Sequence, residues 1–269
     1  MTTDRTGKTQ EFGSIRVDFF ECSVPAMAIA FASAEARELI TVTCNDGKWP
    51  KRPICNAQVR TTKLNAAFVA CDDCIKREKE KADAERHRNY WHRICPERFR
   101  KTDENHPDFP RAIYREIQSE ERSLFLFGPT GAAKTRVAML LLYKAIKSDK
   151  TVGVLWPEKV HVLNNGFDTS RFDYYANLDV LLIDDGLLTA CRQPKLIDSL
   201  KQLCDVRMRH DRPTIHTSQI GTEQDLIDGK EYGEVKGPDL ERIKALLRRL
   251  KEDCKVVSFA KPKPSLESF

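Results

Sequence analysis

One stretch constrains this chain more than any other. The apolar run Leu124-Phe125-Leu126-Phe127 passes directly into Gly128-Pro129-Thr130-Gly131-Ala132-Ala133-Lys134-Thr135, and a helical run follows through Lys147. A strand that feeds a glycine loop opening a helix aims several backbone N–H groups at one point, where the positive end of the helix dipole also lies. Phosphate is the ligand such a loop suits. Its chemistry needs glycines for the tight turn, a lysine for the β- and γ-phosphates, and a Ser or Thr hydroxyl for Mg²⁺. Gly128, Gly131, Lys134 and Thr135 fill these roles, with Pro129, Thr130, Ala132 and Ala133 completing the loop. Ala133 stands where the usual pattern has its second glycine. Its Cβ is therefore expected either to crowd the phosphate path or to be accommodated by entry into the helix one residue early.

A second motif supports the first. Asp179-Val180-Leu181-Leu182-Ile183-Asp184-Asp185 reads as an apolar strand ending in two carboxylates. Asp184 is positioned by this pattern to hold Mg²⁺, together with Thr135. Asp185 is expected to polarise an attacking water beside the γ-phosphate. Further strands are expected at Thr151 to Trp156, Thr214 to Thr217 and Lys255 to Phe259, with helices between them, which is the alternation of a parallel α/β sheet. Pro194 to His210 places Leu196, Ile197, Leu200, Leu203 and Cys204 on one helical face. Leu240 to Leu250 does the same with Leu240, Ile243, Leu247 and Leu250, and both faces read as core.

The chain has 269 residues, enough for one domain with an appendage or for two domains. Its longest apolar stretches fall well short of the roughly 20 residues a membrane helix needs. The N-terminal stretch carries charges throughout and does not read as a signal peptide, so a cytoplasmic protein of a reducing compartment is expected. Lys and Arg outnumber Asp and Glu by 45 to 40, a balance compatible with nucleic acid without requiring it.

Composition divides the chain into residues 1–43, which carry no recognisable task, residues 44–100, and the α/β body at 101–269. In the middle region Cys44 and Cys55 are separated by ten residues, and Cys71 and Cys74 form a Cys-x-x-Cys knuckle. Four thiolates can close a tetrahedral zinc site, with Cys22 an alternative to Cys44, although a redox dithiol or plain core thiols would use the same residues. Cys95, Cys191, Cys204 and Cys254 lie in apolar settings and read as structural. The charged helix after the knuckle interleaves Lys76, Arg77, Lys79, Lys81, Arg86, Arg88 and Arg93 with Glu78, Glu80, Asp83 and Glu85, and has Tyr90 and Trp91 near its end. It reads as a solvated linker, with single-stranded DNA binding the alternative.

Over residues 95 to 260 the chain resembles the AAA+ ATPases, and within them the helicase-loader and transposition-helper group of DnaC and IstB. The resemblance is carried by the two motifs above, by Ser170-Arg171-Phe172-Asp173-Tyr174-Tyr175-Ala176-Asn177-Leu178 leading into the acidic strand, and by Arg212-Pro213-Thr214-Ile215-His216-Thr217-Ser218-Gln219. Ala245-Leu246-Leu247-Arg248-Arg249-Leu250 followed by Val256-Val257-Ser258-Phe259 completes it. The resemblance implies an α/β P-loop AAA+ core and an ATPase using ATP and Mg²⁺; only ten residues follow Phe259, so a C-terminal lid is not expected, and the four clustered thiols are expected to add a small N-terminal zinc-binding region. It further implies catalytic roles for Lys134 and Asp185, a γ-phosphate sensor at Gln219, where the group has Asn, and an arginine finger at Arg249 delivered in trans within a homo-oligomer. The expected function is loading or recruiting a replicative helicase in DNA replication, in a bacterial cell or a phage-infected host. The alternatives are a transposition helper of the IstB kind and a non-hydrolysing nucleotide-binding adaptor.

Overall fold

A computed structural model describes residues 39–43, 58–62, 71–102, 104–105, 109–164, 169–228 and 235–259. The chain divides into two compact units, residues 1–80 and 81–269. In the first unit, β1 (Leu39–Thr43) pairs antiparallel with β2 (Gln58–Thr62), with Leu39 opposite Thr62 and Thr43 opposite Gln58. Helix α1 (Asp72–Ile94) begins here. Its first turn carries Asp72 and Asp73 and its last turn His92 and Arg93, charges that match the two ends of the helix dipole.

The second unit is built on five parallel strands: β3 (Leu124–Phe127), β4 (Val152–Leu155), β5 (Val180–Ile183), β6 (Thr214–Ser218) and β7 (Lys255–Ser258). Their order across the sheet is β4-β5-β6-β3-β7. The expected strands agree to within about two residues, the ordinary uncertainty of element ends. The helices are α2 (Glu97–Arg100), α3 (Arg111–Ile117), α4 (Lys134–Lys147), α5 (Ser170–Asn177), α6 (Gly186–Arg192), α7 (Ile197–Arg209), α8 (Glu223–Asp228) and α9 (Pro238–Asp253), with 3₁₀ segments at Pro157–Asn164 and Pro194–Leu196.

Alternation along each strand sorts its side chains between two hydrophobic layers. Leu124, Leu126, Val180 and Leu182 join the layer beneath α4, and Phe125, Leu181 and Ile183 join the layer containing residues of α5, α6, α7 and α9. Strands buried on both faces need continuous apolar runs, which is what β3 and β5 show. The α7 face is buried through Ile197, Leu200 and Leu203, with Cys204 half-buried. The α9 face is buried through Ile243, Leu246, Leu247 and Leu250.

The α4 layer extends upstream of residue 101 and takes in Trp91, Cys95 and Phe99. Trp91 packs on Tyr143 with ring centroids 5.0 Å apart, and Phe99 stacks on Trp156. The Tyr90 hydroxyl donates to the Val152 carbonyl and accepts from the Val152 N–H, at 2.7 and 2.8 Å. The end of α1 is thus core, and its aromatic rings are engaged in packing. Among the described residues, no helix is long and apolar enough to cross a membrane.

Candidate nucleotide site

The loop after β3 is shaped by backbone requirements. Gly128 has φ +145°, and a Cβ there would lie 2.3 Å from the Phe259 carbonyl oxygen, so the close approach of the chain after β7 demands glycine. Gly131 has φ +83°. Ala133 also takes the left-handed conformation, with φ 63° and ψ 18°, and α4 starts after it at Lys134. Early entry into the helix is therefore not the solution this loop adopts. Alanine occupies a conformation that favours glycine, and this strain comes from the backbone itself.

Lys134 is buried, and its Nζ donates to the carbonyls of Gly128 and Pro129 at 2.7 and 2.9 Å. Burial lowers its pKa, opposed by the nearby Asp185 and Asp184 carboxylates. One turn into the loop's far end, Thr135 Oγ1 donates to Asp184 Oδ1 at 2.8 Å. The two residues assigned to Mg²⁺ are therefore in contact although 49 positions apart.

The parallel sheet brings them together. β5 lies next to β6 with Ile183 beside His216, so the following residues, Asp184 and Thr217, emerge side by side. Both continue the face of Leu182 and Leu126, towards α4, whose first turn carries Thr135. Thr217 Oγ1 donates to Asp184 Oδ1 at 2.7 Å and accepts from the Asp185 N–H at 3.1 Å. Thr217 was legible only as part of a strand, and nothing in its own residue type marked it as belonging to the site.

Asp185 has φ 45°, a left-handed conformation that an aspartate tolerates better than most side chains. Its Oδ1 is buried and has no hydrogen-bond partner among the described residues. Burial raises its pKa, and the neighbouring Asp184 raises it further, while Lys134 and Gln219 act in the opposite direction. Gln219 Oε1 accepts from Thr130 Oγ1 at 3.0 Å, so the longer glutamine joins the phosphate loop to the end of β6. Lys134, Thr135, Asp184, Asp185 and Gln219 thus converge at the carboxyl ends of β3, β5 and β6, where parallel α/β sheets hold ligands. A buried carboxylate oxygen without a partner, beside a hydroxyl and a second carboxylate, is a donor set of the hard oxygen kind that suits Mg²⁺ and its waters.

Other singled-out residues lie elsewhere. Asp179 accepts from the Thr151 N–H and hydroxyl, both at 2.7 Å, and pins β5 to β4 at the opposite end of the sheet from the site. Arg249 Nε stands 2.9 Å from Asp205 Oδ1 and 3.4 Å from Asp253 Oδ2, so its guanidinium is ion-paired within its own chain. Burial pushes the thiols of Cys95 and Cys191 up to about 11 and those of Cys204 and Cys254 up to about 12, consistent with structural roles. Cys44 and Cys55 lie outside the described residues. Cys74 is buried at the start of α1, and Arg77 donates to its sulfur at 2.8 Å. Among the described residues, no group of three or more metal-ligating side chains occurs.

The arginines of the Arg212 region have a structural task. Arg207 is fully buried and donates to the carbonyls of Tyr175, Leu178 and Pro213 and to the Thr214 hydroxyl, at 2.7 to 2.8 Å. Arg212 donates to the Ala176 carbonyl and to Asn177 Oδ1. Together they satisfy the carbonyls at the end of α5 that have no partner within the helix and fix the lead-in to β5.

No family model and no curated protein matches the chain. Among solved structures it is similar to the crystal structure of DnaI, with 18% identity, 61% of this chain and 88% of that one covered, and a TM-score of 0.46. The crystal structure of the DnaC helicase loader matches with 16% identity over 64% of this chain and 99% of that one, at a TM-score of 0.43. The replication initiator DnaA bound to AMPPCP and single-stranded DNA matches with 16% identity over 56% of this chain, at a TM-score of 0.43. The match spans 45% of that DnaA chain, less than half of its length.

Proposed function

We propose that the chain is an ATP-binding AAA+ protein of DNA replication that loads or recruits a replicative helicase, hydrolysing ATP slowly until DNA or its partner engages. The observation that carries the nucleotide reading is the contact between Thr135 and Asp184, made beside a buried Lys134 and an Asp185 whose Oδ1 is buried without a hydrogen-bond partner among the described residues. The helicase reading rests on the motif resemblance.

In this reading the loop N–H groups and Lys134 hold the phosphates. Thr135 and Asp184 hold Mg²⁺, which neutralises phosphate charge when bound. Asp185, its pKa raised by burial and by the neighbouring Asp184, takes up a proton from the attacking water. Gln219 reports on the γ-phosphate by exchanging its bond with Thr130 for one to phosphate or water. Arg249 serves a neighbouring subunit's nucleotide by exchanging its contacts with Asp205 and Asp253 for phosphate. The stretch around Cys44, Cys55, Cys71 and Cys74 binds zinc and contacts the partner or DNA. Its support is the pairing of Thr43 with Gln58 at the two ends of the segment that holds the first two cysteines, and the cationic donor on Cys74.

ATP turnover of the purified protein, measured with and without single-stranded DNA, tests the reading. Lys134→Ala and Asp185→Asn should each abolish turnover, and mixing Lys134→Ala with Arg249→Ala should restore part of it. ATP binding without turnover under all conditions would instead favour a non-hydrolysing adaptor, which the strained Ala133 and the Thr130–Gln219 bond also suit. Absence of ATP binding would overturn both readings.

A further inference from the structure

Thr217 is the residue whose chemistry the proposed machinery does not yet use. It is 2% exposed, and its hydroxyl has one proton and two partners. Asp184 is a carboxylate and can only accept in this contact, so the proton points at Asp184 Oδ1. The hydroxyl oxygen is then free to accept from the Asp185 N–H. The polarity of the chain of bonds is fixed as Asp185 N–H to Thr217 O–H to Asp184 carboxylate.

Two consequences follow. Asp184 Oδ1 receives hydrogen bonds from both Thr135 and Thr217, which orients the carboxylate. The Asp185 peptide is held by its N–H while that residue sits at φ 45°, a conformation that needs support from its surroundings. One buried hydroxyl therefore sets both carboxylates at once. The parallel register beside Ile183 and His216 allows no other residue of β6 to do this.

We infer that Thr217 is a positioning residue for the nucleotide site, coupling the orientation of Asp184, and hence divalent-cation affinity, to the aim of Asp185. The inference rests on the nucleotide reading above. Charge-assisted bonds of this kind are the strong ones, and removing the donor leaves a buried carboxylate less satisfied.

Thr217→Val keeps the shape and removes the hydroxyl, whereas Thr217→Ser keeps the hydroxyl. Binding of a fluorescent ATP analogue is measured across a Mg²⁺ titration for wild type and both variants, alongside turnover and thermal unfolding. Thr217→Val should raise the Mg²⁺ concentration needed for half-maximal effect several-fold and reduce turnover by about tenfold, equivalent to about 1.4 kcal/mol. Thr217→Ser should restore both to near wild type, and affinity for the analogue without Mg²⁺ should be unchanged in both. If Thr217→Val does not fold, Thr217→Ala is read against Thr217→Ser in the same way.

A wild-type Mg²⁺ response retained by the hydroxyl-free variant, with only its melting temperature lowered, overturns the inference and leaves the nucleotide reading standing. Wild-type protein that binds no nucleotide overturns both. Wild-type protein that binds without turnover removes only the hydrolysis reading, and the Mg²⁺ titration still decides the role of Thr217.

Discussion

Replacing Ala133 with glycine should stabilise the protein, against the usual direction of such a change. Ala133 holds φ 63° and ψ 18°, where an L side chain is penalised by about 1–2 kcal/mol because its Cβ meets the neighbouring carbonyl. Glycine escapes that penalty but gives the unfolded chain extra freedom, worth about 0.4–1 kcal/mol. Glycine is also preferred over alanine at a position that caps a helix, and Ala133 caps α4 while its carbonyl accepts the Val137 N–H at 3.0 Å. The net expectation is a gain of about 0.5–1 kcal/mol, or about 1–4 °C in melting temperature for a unit of this size.

The assay is urea unfolding of wild type and Ala133→Gly without nucleotide. The midpoint should rise with no change in slope, because the surface exposed on unfolding is the same. Affinity for ATP is measured in parallel and separates strain from crowding. Strain present with and without ligand cancels from binding, whereas a Cβ pressed on phosphate would make Ala133→Gly bind more tightly. An unchanged or lowered unfolding midpoint in Ala133→Gly would refute the strain argument, since the entropy difference alone makes glycine the less stable residue.

His216 is buried on β6, and its burial lowers its pKa to about 3. It stays neutral in the folded state while the unfolded chain takes up a proton below about pH 6.5. Stability is therefore lost as pH falls through that value, by about 1.4 kcal/mol per unit until the folded pKa is approached. His216→Gln should flatten this acid limb in unfolding measured from pH 7 to pH 4, and parallel limbs would rule it out. Arg207→Met should destabilise by about 3 kcal/mol or more by removing the donor to the buried carbonyls of Tyr175 and Leu178, while the Pro213 carbonyl keeps the Leu181 N–H. Arg207→Lys should recover little, because an ammonium cannot reproduce the planar fork, and urea unfolding of both variants checks this. Freshly reduced protein should carry about one zinc per chain, and Cys71→Ser with Cys74→Ser should remove it without loss of ATP affinity. Metal analysis that finds no zinc would discard that site.

The elements of the candidate site that could be read along the chain are those whose chemistry is local. The glycine loop, Lys134 and Thr135 are contiguous, and the apolar run of β5 ends at Asp184 and Asp185, so type and spacing point to the residues that the sheet brings together. Thr217 and Arg207 were not legible because their roles come from pairing between segments about 30 residues apart. The bond from Thr217 to Asp184 exists only once β5 and β6 lie in register, and Arg207 reaches α5 only once α7 packs beside it. The packing of Trp91 was hidden for the same reason. Its partner Tyr143 is on α4, while the charges around it suggested a solvated helix.

Ala133 shows a different limit. A missing glycine in a known pattern draws attention to the added side chain, yet the dihedral decides the question, and the dihedral depends on how β3 is joined to α4. Asp185 has the same property at the end of β5, where φ 45° is held by the Thr217 hydroxyl. The two strained positions flank Lys134 and Asp184, the groups expected to meet phosphate and metal. Relief at Ala133 leaves the polar contacts of the site untouched and should act on stability first. Relief at Asp185 would release the N–H that Thr217 holds and should act on the aim of the carboxylate, which is why the two sites, similar in backbone geometry, should separate cleanly between an unfolding midpoint and a Mg²⁺ titration.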